Sequence, residues 1–288
     1  MNYTLNCNGR LLSLEEPQVM GILNVTPDSF YAGSRVQTER DIVSRAQQIV
    51  TEGGSIIDVG ACSTRPDSEP ATEQEEMERL RGALGIIRRE MPDAIISVDT
   101  FRPDVARMAV EEFGADIIND VGTPTTTHYP SPTTHHLPPT THHPSPMHRM
   151  VTGLQVPYIY MSRKATMRDI LLDCAEVMDT LRAMGQKDII LDPGFGFGKT
   201  LEENYDVLNN LERMQMTGLP VLVGVSRKSM IYKRLDIDPA QALNGTTVLN
   251  TIALMKGASI LRVHDVREAV EAVKLSNCKL PRCFSNLE

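Results

Sequence analysis

Long hydrophobic runs are missing from this sequence, and so is any excess of positive charge. No uninterrupted apolar stretch reaches about 18 residues, the length a membrane-spanning helix needs. The opening residues, MNYTLNCNGR, lack the basic and apolar regions of a secretory leader, so a cytoplasmic location is expected. With 29 Lys+Arg against 37 Asp+Glu, the formal net charge is −8. That argues against nucleic acid and anionic membrane as main partners, although a local basic cluster can still hold a small anion. Cysteine is sparse. The five present (Cys7, Cys62, Cys174, Cys278, Cys283) are odd in number and share no CxxC spacing, which suits free thiols in a reducing compartment.

Two nucleotide signatures are also absent. There is no GxGxxG turn. The stretch LDPGFGFGKT ends like a phosphate-cradling P-loop, yet Pro193 stands where the first glycine would have to be. Asp192 would also repel a phosphate there. The run reads instead as an apolar strand ending in an acid, followed by a loop whose glycines let backbone approach a ligand. A plain turn is the simpler alternative.

What is there is a repeat of short, nearly continuous apolar runs, as parallel strands buried on both faces require. They are QVMGIL ending at Asn24, SIIDVG at 55–60, AIISVDT ending near Asp99, ADIIND ending near Asp120, VPYIYM at 156–161, KDIILD at 187–192, PVLVGVS at 220–226 and ASILRVHD at 258–265. Between them lie segments of helical period such as ERDIVSRAQQIVTEG, TEQEEMERLRGALGIIRREM and PDVARMAVEEFG. Eight βα units in 288 residues, of which 41% are hydrophobic, predict one α/β domain over 1–288, a TIM (β/α)8 barrel with a tail at 276–288. A doubly wound open sheet is the alternative, but it has fewer strands and needs the missing glycine turn.

One segment breaks the pattern. Residues 123–146 are almost wholly Thr, Pro, His and Ser, with seven prolines. A fourth helix cannot form there, so an irregular loop with polyproline character is expected in its place, and only MHRMVTGL at 147–154 retains helical character. The pairs His135-His136 and His142-His143 have the chemistry to chelate a transition metal.

Barrel ligands bind at the C-terminal strand ends. There the sequence places Asn24, Ser63-Thr64-Arg65, Asp99, Asn119, Met161, Asp192, Ser226-Arg227-Lys228, Arg262 and His264. Asp99, Asn119 and Asp192 are acceptors suited to a flat heterocycle with amino and ring N–H donors, a pterin or a guanine, with Lys228 donating to its carbonyl or nitrogen. Each acid alone is also explained as a helix N-cap. Arg65, Arg262, His264 and Asn24 form a second group suited to phosphate or diphosphate. Asn24 lies in NVTPDSF, an oxygen-rich loop able to help hold Mg²⁺ or to form a turn.

These residues sit in the stretches MGILNVTPDSF, IIDVGACSTRP, ISVDTFRPDVA, GADIINDV, DIILDPGFGFGKT, LVGVSRKSMI and LNGTTVLNTIALMKGASILRVHDV. In this order they closely resemble the dihydropteroate synthase family of pterin-binding enzymes. The resemblance implies a TIM barrel, usually a homodimer, that joins 4-aminobenzoate to a pterin methyl diphosphate, releases diphosphate and is a sulfonamide target. It implies a pterin set of Asp99, Asn119, Asp192 and Lys228 with Met161 packing on the ring. It implies a diphosphate set of Arg262 and His264 helped by Asn24 and Mg²⁺, and aminobenzoate walls from Thr64, Arg65, Pro66, Phe197 and Ser226. The chain departs from the family at Cys62, where many members carry Glu, in the short YMSRKATM after the fifth strand, and in the Thr/Pro/His segment.

Two other functions compete. A Schiff-base aldolase would use Lys228 as nucleophile, but it leaves the Asp99 and Asp192 pair unexplained. A non-catalytic pterin-binding protein would keep the ring site and lose turnover.

Overall fold

The computed structural model describes residues 3–25, 39–62, 71–122 and 144–277. The chain opens with an antiparallel hairpin of β1 (Thr4–Cys7) and β2 (Arg10–Ser13). Parallel strands then alternate with helices: β3 (Gln18–Asn24), α1 (Glu39–Thr51), β4 (Ile56–Gly60), α2 (Glu73–Glu90), β5 (Ile96–Asp99), α3 (Pro103–Phe113), β6 (Ile117–Asp120) and α4 (Pro146–Leu154). After these come β7 (Tyr158–Met161), α5 (Met167–Ala183), β8 (Ile189–Asp192), α6 (Leu201–Asn209), β9 (Leu222–Val223), α7 (Ser229–Leu235), α8 (Leu243–Met255), β10 (Ile260–Val263) and α9 (Val266–Ser276). The strands β3 to β10 pair in the order β8-β7-β6-β5-β4-β3-β10-β9, and a parallel bridge between Leu191 and Val221 joins the two ends. The open-sheet alternative is thereby excluded.

Local chemistry sets the boundaries of the helices. Thr72 and Thr200 each form a capping box with the glutamate three residues on, Glu75 and Glu203. Pro103 opens α3 and Gly114 closes it in the left-handed conformation. The expectation that the fourth helix is replaced needs one refinement. Pro146 does not break a helix but occupies the first turn of α4, with Ser145 as its cap. Proline costs nothing there, because that N–H has no partner within the helix. Met147 and Val151 of α4 are buried against the barrel. Residues 123–143, including both histidine pairs, lie outside the described residues.

Side chains alternate in and out along each strand, and the inward positions stack in tiers. The lowest tier is apolar. Met20, Ile56, Ile117, Ile159, Ile190, Leu222 and Ile260 pack with Leu5, Cys7 and Leu14, so the hairpin plugs the bottom of the barrel. Two residues further along each strand the interior turns polar: Asp58, Ser97, Asn119, Asp192 and Arg262 stand beside Ile22, Met161 and Gly224. Two further on are Asn24, Gly60, Asp99, Ser226 and His264 at the mouth. The outward positions join the helices in a second, larger core.

The plug is tied down by charge. Asp116, fully buried, accepts from Arg10 Nη2 at 2.7 Å, from Arg88 Nη2 at 2.8 Å and from the backbone N of Ile96 at 2.9 Å. Removing that carboxylate takes the charge partner from two partly buried guanidiniums and the side-chain acceptor from the buried Ile96 N–H. We expect Asp116→Ala to cost about 3–5 kcal/mol of stability in urea unfolding; a loss below about 1 kcal/mol would contradict this role for Asp116.

Candidate functional site

The site is the polar interior above the apolar floor. Its centre is Arg262 on β10, whose Nε donates to Asp58 Oδ2 and whose Nη2 donates to Asp99 Oδ2, both at 2.6 Å. Register explains the convergence. Asp58 pairs with Ser97, Asp99 pairs with Asn119, and Met161 pairs with Asp192 across neighbouring strands. Asp58 is fully buried and also accepts from Ser97 Oγ at 2.6 Å and from Asn119 Nδ2 at 3.3 Å. Asn119, equally buried, keeps its carbonyl Oδ1 without a partner. An amide oxygen in that state is an acceptor waiting for a donor.

Neither acid is a helix cap. The caps of α3 and α6 are Arg102 and Thr200. Asp192 accepts instead from the backbone N of Gly194 at 2.7 Å, which leaves most of its lone pairs for another group. Burial raises the pKa of Asp192, against the pull of Lys228. Burial also raises Asp99, opposed by Arg262, to about 7. Burial alone would lower Arg262, but Asp58 and Asp99 outweigh it and hold the guanidinium above its ordinary range.

The loop after β8 closes one side. Gly194 has φ +72°, and a Cβ there would lie 2.2 Å from the Ser162 carbonyl oxygen. Gly196 has φ +80°, and its Cβ would press on the Lys228 stem at 3.1 Å. Only glycine permits this path. Lys199 Nζ turns back to the carbonyls of Gly194 at 2.9 Å and Phe197 at 3.3 Å, so it staples its own loop as a P-loop lysine would not. Lys228 Nζ donates to Phe195 O at 2.5 Å and lies 4.6 Å from the Phe197 ring centroid, within cation–π range. The opposing effects of burial and Asp192 leave Lys228 at about 8.

At the mouth, Ser226 Oγ meets His264 Nδ1 at 3.0 Å and accepts from the His264 backbone N at 3.1 Å. His264 is exposed as a residue. Desolvation, followed by the guanidiniums of Arg262, Arg227 and Arg45, shifts its pKa below the ordinary imidazole value. Arg45 Nη2 reaches from α1 to the His264 carbonyl at 2.6 Å, and Arg227 grips Asp265 with two bonds of 2.8 and 2.9 Å.

The structure thus brings together Asp99, Asn119, Met161, Asp192, Lys228, Phe197, Ser226, Arg262 and His264, with Asn24 at the β3 end beside Gly60. Thr64, Arg65 and Pro66 lie outside the described residues. Arg262 also pairs with the floor acids Asp58 and Asp99, because inward parity on β10 aims it at β4 and β5. Asp58 escaped the strand-end survey because it stands mid-strand. Its signal is an acid inside the otherwise apolar SIIDVG, two residues before a strand end. Among the described residues, no three His, Cys, Asp or Glu side chains gather as a metal-binding set. The amide oxygen of Asn24 suits a hydrated Mg²⁺ that takes most of its other ligands from water and substrate phosphates.

An acid-floored barrel mouth with cations beside it is the kind of site a pterin-binding enzyme needs. The family model described as pterin binding enzyme matches residues 20–264, and the chain belongs to that family. Its relatives are more particular. The dihydropteroate synthase of Escherichia coli is 36% identical over 96% of each chain. The Xanthomonas albilineans dihydropteroate synthase with 4-aminobenzoic acid superposes with a TM-score of 0.81 at 32% identity, covering 96% of this chain and 97% of that one. The same enzyme in complex with 7,8-dihydropteroate gives 0.78 at 32% identity, covering 95% and 97%.

Lys228 supplies a pH test. It donates as a cation below about 8 and loses its charge above, while Asp192, Asp99, Arg262 and Lys199 surround it. We expect the affinity for 6-hydroxymethyl-7,8-dihydropterin, whose ring N–H stays protonated in this range, to fall in calorimetry as pH rises through about 8. In Lys228→Arg that alkaline limb should vanish. A pterin affinity that is flat from pH 7 to 9 would contradict the assignment of Lys228.

Proposed function

We propose that this chain is a transferase of folate biosynthesis that condenses 6-hydroxymethyl-7,8-dihydropterin diphosphate with 4-aminobenzoate, giving 7,8-dihydropteroate and diphosphate. The observation that carries the reading is the open acceptor set at the barrel floor, Asn119 Oδ1 with Asp99 and Asp192. It matches the donor edge of a pterin, and Lys228 offers the complementary donor. Met161, 3% exposed beside Asp192, supplies an apolar wall for the ring.

The bond between the pterin methylene and the diphosphate oxygen breaks, and its electron pair leaves with the diphosphate. The carboxylates of Asp99 and Asp192 favour the positive charge left on the methylene and ring. Arg262 and His264, helped by Asn24, are the residues that would meet the departing anion. When bound with the diphosphate, Mg²⁺ supplies neutralising charge to the leaving group, and Asn24 is the residue that would help hold it. The neutral amine of 4-aminobenzoate then donates its lone pair to the methylene, forming the C–N bond, and its extra proton passes to water. No strong base is required, because the aniline is uncharged at pH 7. Among the described residues, Phe197 and Ser226 are the candidates to wall the aminobenzoate ring.

An aldolase is disfavoured, since Lys228 is engaged with Phe195 and Asp192 on the pterin edge. We propose further that two copies pair through α7, α8 and α9. Here α8 packs against α7 and α9, and Leu235, Val248, Met255 and Leu275 are exposed.

Two measurements test these readings. Diphosphate release should require both the pterin diphosphate and 4-aminobenzoate with Mg²⁺, and Asp99→Asn should lower kcat by about a hundredfold; release that ignores aminobenzoate, or near-normal turnover of the variant, would refute it. In sedimentation velocity the chain should run as a dimer and Val248→Asp/Met255→Asp as a monomer, and a wild-type monomer would overturn the pairing.

A further inference from the structure

Asp58 is fully buried below the acids that face the ligand, and nothing in the reaction as described employs it. It nonetheless ties together three other strands of the barrel. Through Oδ1 it accepts from Ser97 Oγ at 2.6 Å. Through Oδ2 it accepts from Arg262 Nε at 2.6 Å and from Asn119 Nδ2 at 3.3 Å. A carboxylate has only acceptor atoms, so an amide facing it must present its NH₂. The carbonyl of Asn119 is then forced the other way, and it is the atom left without a partner. Were Asp58 neutral and able to donate, Asn119 would have no reason to choose, and half of its orientations would offer the ligand a donor where the ring also carries a donor.

We propose that Asp58 is a positioning residue that sets the hydrogen-bond polarity of the pterin slot. It fixes the Asn119 amide with its oxygen toward the ring and, by the bond to Arg262 Nε, aims the other end of that guanidinium at Asp99. The assignment rests on the pterin reading above and goes beyond it. It makes the choice between a ring edge rich in N–H donors and one rich in acceptors a property of a residue that never touches the ligand.

The test compares the wild type with Asp58→Asn and with the exchange variant Asp58→Asn/Asn119→Asp. The exchange keeps an amide–carboxylate pair but reverses it. The residue at 58 then donates, and the residue at 119 accepts with one oxygen and still shows the ring an acceptor with the other. Three readouts are taken: 6-hydroxymethylpterin binding by calorimetry, the two KM values in diphosphate release, and the thermal melting profile. In Asp58→Asn we expect pterin affinity to fall and the pterin-diphosphate KM to rise by about tenfold or more, with the aminobenzoate KM within twofold of wild type. The exchange variant should recover most of that loss. Equal shifts of both KM values, unchanged pterin binding, or no recovery in the exchange would overturn the proposal, because a merely structural role predicts one of these. If Asp58→Asn does not fold, pterin binding by the exchange variant decides alone. If the wild type binds pterin yet releases no diphosphate, the reaction reading fails, and calorimetry still decides the role of Asp58.

Discussion

The site depends on one guanidinium held between two carboxylates inside a barrel. Arg262 bridges Asp58 and Asp99 at 2.6 Å each. Taking an unpaired carboxylate out of water costs several kcal/mol, and removing one partner of a buried pair is more damaging than never having had it. Arg262 is therefore what allows the interior to carry Asp58, Asp99 and Asp192 at once. Lys228 performs the same service for Asp192 from the opposite side. The cations are not ornaments of an acidic site. Without them the carboxylates would stand buried and unpaired.

The balance is incomplete by design of the geometry. Among the described residues, Asn119 Oδ1 has no partner and the side chain of Asp192 accepts from the Gly194 amide alone, while Lys228 sits depressed to about 8. Each is a group waiting for a partner of known polarity. A ligand that presents donors to the acids and an acceptor to the lysine relieves all of them together. Binding energy of this kind, stored in a rigid frame, is available for orienting the ring and for opposing the loss of water around the leaving group. The frame is rigid because the floor beneath it is a packed apolar tier closed by the hairpin and clamped at Asp116.

Much of this was legible in the chain itself. Near-continuous apolar runs announced the strands, and the polar residue at each run's end announced the mouth. The glycines of DPGFGFGK announced a loop that other residues could not follow, and Gly194, Gly196 and Gly198 all take positive φ. Less legible was Asp58, since an acid in mid-strand has no local mark of function. The N-cap alternative for Asp99 and Asp192 could not be dismissed from sequence either. Caps are chosen by backbone geometry, and here Arg102 and Thr200 hold those positions. At the described edge of the proline-rich segment, Pro146 begins a helix because the first turn requires no N–H from it.

The sequence by itself determined the eight βα units, the closed barrel they make, and the residue types gathered at its mouth, because alternation, capping and turn chemistry are local. Which residues share a tier, and so which charges meet, was decided only by the tertiary structure. Shear between neighbouring strands sets that. It levels Asp58 of β4 with Ser97 of β5 and brings Arg262 of β10 across to both β4 and β5. No spacing along the chain encodes a contact between residues 204 positions apart; only the closing of the sheet creates it.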